Sequence, residues 1–95
     1  MIVVFKLLNG DDVIADVDIN KDEEDIVVHQ PHIIINTAQG LAIVPWCPLV
    51  EPDQEFRLDK RDVLCIMDKV KQQVADTYIK ATTGIELVQN KLMVP

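Results

Sequence analysis

Asn9-Gly10, set between the apolar runs Ile2–Leu8 and Asp12–Ile19, constrains the fold more than any other feature of this chain. Asparagine and glycine both tolerate positive φ, so the pair predicts a tight primed turn and a β-hairpin. The hairpin begins at residue 2 with no leading helix or targeting segment, which predicts an all-β opening. In its second run Val13, Ala15, Val17 and Ile19 alternate with Asp12, Ile14, Asp16 and Asp18. That is a period of two with one wet face.

The same reasoning continues along the chain. Asn20 to Glu24 reads as an acidic turn and Asp25 to Asn36 as a third strand. Pro31 interrupts that strand; it has no N–H to give to a ladder, so the strand must bend, bulge or lie at an edge there. Thr37 to Gly40 predicts a second hairpin, leading into a fourth strand from Leu41 to Val44. Pro45-Trp46-Cys47-Pro48 breaks that strand, Leu49 to Asp53 drifts into a loop, and Phe56 to Leu58 is extended again. Asp59 to Asp62 is a tight polar turn before a last strand, Val63 to Met67, without a polar member. Asp68 then suits a helix cap. Val70, Val74, Thr77 or Tyr78, and Ala81 recur at helical spacing, and Gly84 suits a left-handed stop. Tyr78 reads as an ordinary packing residue beside that stripe. The predicted fold is mainly β: a strongly bent antiparallel barrel of five strands over residues 1–67, a helix over 68–84 closing one end, and a tail over 85–95.

Ninety-five residues suffice for one domain with a modest core. Hydrophobic residues make up 48% of the chain but aromatics only 4%, so the core must come from Val, Ile and Leu. No apolar run approaches the roughly 20 residues of a membrane helix, and no membrane association is expected. Cys47 and Cys65 lack metal or redox spacing and read as reduced thiols of a cytoplasmic protein. Residues 1–58 hold eleven acids and three bases, a net of −8; residues 59–95 hold five acids and six bases, a net of +1. The first part would repel phosphate, so any polyanion contact belongs near Lys60, Arg61, Lys69 and Lys71.

Catalytic and metal chemistry find little support. Asp18, Asn20 and Asp22 fit the start of a calcium loop, but Glu23 stands where glycine is needed and His29 where a bidentate Glu is needed. His29, His32, Cys47 and Cys65 have no zinc-site spacing, and the two histidines would face opposite sides of a regular strand. They read as two partly exposed strand histidines and two small core residues. The acidic-turn carboxylates lack the burial that tunes a general acid or base. The chain is expected to be no enzyme and to need no cofactor or metal.

Assembly is the stronger signal. Strict alternation puts Val63, Cys65 and Met67 on one face of the last strand and Leu64 and Ile66 on the other. A small barrel has one inside, so the outer apolar face and the open edge call for cover from another copy. A head-to-tail contact of that kind closes into a homo-oligomeric ring when the rotation allows. Trp46, stiffened by flanking prolines, suits either a partner anchor or a loop residue folded back over the barrel.

Two stretches resemble the Sm-like (LSm) family: Leu7 to Val28, a strand, Asn-Gly, strand, acidic turn and strand, and Phe56 to Met67, a polar turn between two apolar strands. The likeness spans residues 2–67 and is greatest to short, divergent, phage-type members, which would place the protein in a host cytoplasm. It implies a bent five-stranded barrel and a homo-oligomeric ring built through the last two strands. It also implies single-stranded RNA binding around Lys60, Arg61 and Asp25. The chain departs from the family in lacking an initial helix and in the extra Pro45–Pro48 segment. Asp25 and Glu23 stand at RNA-pocket positions, Asp59 and Lys60 replace an Arg-Gly pair, and no aromatic is placed to stack on a base. A protein-interaction scaffold on the same ring, with Trp46 as anchor, is therefore the alternative to an RNA-associated role.

Overall fold

The computed structural model describes residues 1–19 and 24–83, with the Ile19 side chain left out. The order is β1 (Ile2–Leu7), β2 (Asp12–Ile19), β3 (Asp25–Thr37), β4 (Gly40–Pro45), β5 (Glu55–Asp59), a 3-10 turn (Lys60–Asp62), β6 (Val63–Met67) and α1 (Gln72–Thr83). The strands form one antiparallel sheet in the order β4-β3-β2-β1-β6, with β5 also on β3. β3 is long enough to serve two neighbours: residues 25–29 pair with β5 and residues 32–37 with β4. The mainly-β class is thus observed, with six described strands where five were expected. The extended stretch around Phe56–Leu58 is a strand of its own, because the chain leaves β3 at Pro45 and returns only at Glu55. The helix starts at Gln72 and not at Asp68. Its first accepting carbonyl is that of Lys71, which takes the N–H groups of Val74 and Ala75, both at 3.0 Å. The expected acidic-turn residues 20–23, the stop at Gly84 and the tail 85–95 lie outside the described residues.

The first hairpin forms where Asn9-Gly10 places it, but not with a primed turn. Leu7 C=O accepts from Gly10 N–H at 2.9 Å and Leu7 N–H donates to Asp11 C=O at 3.0 Å. This is a three-residue loop in which Gly10 alone takes positive φ, +94°. Asn9 contributes its side chain instead: Oδ1 accepts from Asp11 N–H at 2.9 Å.

Two bulges then decide which side chains face inward. In the β2–β3 ladder Ile14 pairs with His32 but Asp16 with His29, so β3 carries one extra residue at Gln30-Pro31. Gln30 takes φ +50° there. The proline is accommodated at the point where β3 changes partner from β5 to β4. In the β1–β6 ladder Lys6 pairs with Cys65 but Leu7 with Val63, leaving Leu64 as the extra residue.

Directly opposed residues share a face. Val63 and Ile66 therefore lie on the inner side with Leu7 and Phe5, and Cys65 and Met67 on the outer side with Lys6 and Val4. The strict alternation expected for residues 63–67 is broken by the bulge. For the same reason His29 and His32 share the outer face, opposite Asp16 and Ile14, where a regular strand would have separated them.

The inner face carries Val3, Phe5, Leu7, Val13, Ala15, Val17, Ile26 and Val28 as one buried cluster, with Trp46, Phe56, Leu58 and Val63 packed on it. Each fully buried Val, Ile or Phe contributes about 1.5–3 kcal/mol. β5 and β6 stand at opposite ends of the strand order yet both reach this cluster, so the sheet curls around it. Ile14 is also fully buried, but on the outer face. There α1 lies across the sheet.

Candidate functional site

Three described strands have an unpaired side, β4, β5 and β6; β5 (EFRLD) carries Glu55, Arg57 and Asp59, whereas β4 and β6, the two ends of the strand order, contain no charged residue (GLAIVP and VLCIM). An edge that must stay single normally carries charge, Pro or a cover. Here Leu64 is 59% exposed, Ile66 39% and Met67 41% on β6, and Leu41 is 56% exposed on β4. The helix covers none of these fully. Cys65, expected as a small core residue, is exposed, because the Leu64 bulge turns it outward; Cys47 is half-buried. Both thiols are free.

Of the residues singled out for polyanion binding, the turn before β6 holds Lys60 and Arg61 and lies beside Asp25, whereas Lys69 and Lys71 follow β6. Asp25 pairs across the ladder with Asp59, and Lys60 N–H donates to Glu24 C=O at 2.9 Å. Two like charges opposite one another are unfavourable, and Arg61 offsets this. Its Nη2 donates to Asp59 Oδ2 at 2.8 Å, and its Nε lies 3.2 Å from both carboxylate oxygens. Asp59 also caps the 3-10 turn, accepting from Arg61 N–H at 2.9 Å. The Arg61 hydrogen bonds hold the Asp59 carboxyl below its ordinary range, and Asp59 in turn raises the guanidinium. The guanidinium thus stands in solvent with its fork already occupied, in a cluster where Glu24, Asp25, Asp59 and Asp62 outnumber Lys60 and Arg61.

Trp46 lies half-buried, its ring 5.8 Å from Phe56, and its backbone N–H donates to Pro31 C=O at 3.0 Å. Pro31, Pro45, Pro48, Pro52 and Phe56 line an open cleft of about 420 Å³ that reaches Ala81–Thr83 of α1. Leu49, between the lining residues Pro48 and Val50 in the chain, is 93% exposed.

Tyr78, expected to be ordinary packing, fastens the helix to the β3 bulge. It is the one buried residue among the described helix. Its hydroxyl accepts from Asp16 N–H at 3.1 Å and donates between the carbonyls of Gln30 (3.0 Å) and His29 (3.2 Å). His32 meets its ring edge-on at 5.5 Å. Burial pushes the phenol up to about 12. The helical stripe pointed to position 77 or 78; only the bulge explains why a hydroxyl is needed.

The calcium reading falls partly on residues 20–23, outside the described residues. Among the described residues no three His, Cys, Asp or Glu side chains are grouped to hold a metal, and no helix is long and apolar enough to cross a membrane. His29 is paired with Asp18 at 3.1 Å. Comparison with protein-family models gives no matching family, and comparison with curated proteins gives no match.

Proposed function

We propose that this chain is an Sm-like ring subunit: copies join head to tail, the free side of β6 on one against the free side of β4 on the next. The strand order supports this reading, since β4 and β5 together occupy the place of the family's bent fourth strand and β6 that of its fifth. The carrying observation is the pair of uncharged, apolar edges at opposite ends of one curled sheet. Light scattering at micromolar concentration tests it. A defined multimer is expected; monomer alone would end the ring reading.

The ring's role is that of a protein-interaction scaffold without a cofactor or catalytic step. The acidic surplus around Asp25 and Asp59 disfavours phosphate, while each subunit offers the proline-lined cleft beside Trp46 to an apolar partner segment. One observation favours an RNA-associated role instead: the fold brings Lys60 and Arg61 together beside Asp25, and a ring would repeat that cluster around its axis. Filter binding of U-rich and A-rich single strands at low salt separates the two. No retention by a confirmed ring is expected; retention abolished by Arg61→Ala would establish the RNA role in its place.

A further inference from the structure

A shallow groove of about 250 Å³ runs between β4 and α1, lined by Leu41, Ile43, Gln73, Val74 and Thr77. We propose that it receives Met67 of the neighbouring copy, so that α1 is part of the subunit contact and not only a cover for its own sheet. The inference rests on the ring reading and adds its register and its outer wall.

Face parity carries the argument. Val13, an inner residue, lies opposite Ile33, which lies opposite Val44. Val44 and Ala42 therefore belong to the inner face and Leu41 and Ile43 to the outer. On β6 the bulge leaves Ile66 inner and Cys65 and Met67 outer. An antiparallel β6–β4 contact must keep inner residues with inner ones, or every side chain flips. Pairing Leu41 with Met67 of the next copy, Ala42 with Ile66 and Ile43 with Cys65 satisfies all three positions. It also leaves Pro45 beyond the new ladder, where its missing N–H costs nothing.

This register sets Met67 over Leu41, at the mouth of the groove that Val74 closes from α1. A thioether on an unbranched stem fills such an irregular apolar gap well. Gln73 and Thr77 at its rim bring no charge into the contact. A shift by two residues would either draw Pro45 into the ladder or place Met67 beyond Gly40, away from the groove.

The native Cys65 supplies the probe. In an Ile43→Cys, Cys47→Ser variant, mild oxidation should link position 43 of one copy to Cys65 of the next. Cross-strand partners lie about 4.5–5.5 Å apart at Cα, within disulfide reach. A ladder of covalent multimers on a non-reducing gel is expected, and Cys47→Ser alone should give none. Met67→Asp should weaken association by roughly tenfold or more, with the far-ultraviolet spectrum unchanged. If Ile43→Cys folds poorly, Leu41→Cys with Met67→Cys in a Cys47→Ser, Cys65→Ser background reads the neighbouring pair. Monomers of the unaltered chain in light scattering would overturn the ring and this seat together. A ring that gives no ladder from either pair, and tolerates Met67→Asp, would overturn the seat alone.

Discussion

At the scale of single residues, Tyr78 does what no apolar residue could. The bulge at Gln30-Pro31 pulls two carbonyls and the Asp16 N–H out of ladder register, and one phenol answers them. Tyr78→Phe keeps the edge contact with His32 but strands these groups. It should destabilise the protein by about 1–3 kcal/mol, read as a lower denaturant midpoint. The chain has a single tyrosine, so its absorbance can be titrated without ambiguity. The folded phenol should ionise near 12 against an ordinary value of 10.0. A folded pKa above the unfolded one means that the contribution is intact below pH 10 and is lost as pH rises towards 12. That loss is on the order of 2 kcal/mol, and Tyr78→Phe should abolish this part of the alkaline unfolding. A titration midpoint near 10 in the folded protein would show the hydroxyl to be free of these partners.

At the scale of elements, what the sequence exposes and what it hides divide at the bulges. β1 and β2 are legible because both are apolar runs punctuated by turn residues, and in β2 Val13, Ala15, Val17 and Ile19 alternate with a face that carries Asp12, Asp16 and Asp18. The polar turn before β6 is legible because Asp59 caps its own neighbour. A bulge is different: it is a property of two strands in register, and residues far apart in the chain decide it. Pro31 hints at one; nothing local marks Leu64. Hence the inward and outward members of Val63–Met67, the common face of His29 and His32, and the need for a hydroxyl at position 78 become visible only with the ladder in place. Asn9-Gly10 shows the reverse, a local signal that fixes the hairpin but not its turn type. The β3 bulge makes its own prediction. Gln30 takes φ +50°, where a side chain is strained and glycine is not. Gln30→Gly should leave stability unchanged or raise it by up to about 1 kcal/mol in denaturant unfolding. A clear loss would show that the Gln30 side chain, and not only its carbonyl, holds the bulge.

At the scale of the whole molecule, the proposed ring requires a head-to-tail contact, and that has a signature no self-complementary dimer shares. In a two-fold contact the same edge meets itself, so damage to one edge leaves the other able to pair. In a head-to-tail contact each junction consumes one β4 and one β6. A lysine placed on an edge blocks addition of a further strand, because its charge cannot be desolvated in an apolar seam. Leu41→Lys should therefore be monomeric, with a sound β6 and no uncharged partner edge to use. Ile66→Lys should be monomeric for the opposite reason. Mixed in equal amounts, the two should form a dimer and stop there, since the sound β6 of one meets the sound β4 of the other and both outer edges are blocked. Sedimentation velocity of each variant and of the mixture reads the outcome directly. Dimers in either variant alone would mean that an edge pairs with itself, and a subunit contact of that symmetry cannot propagate into a ring.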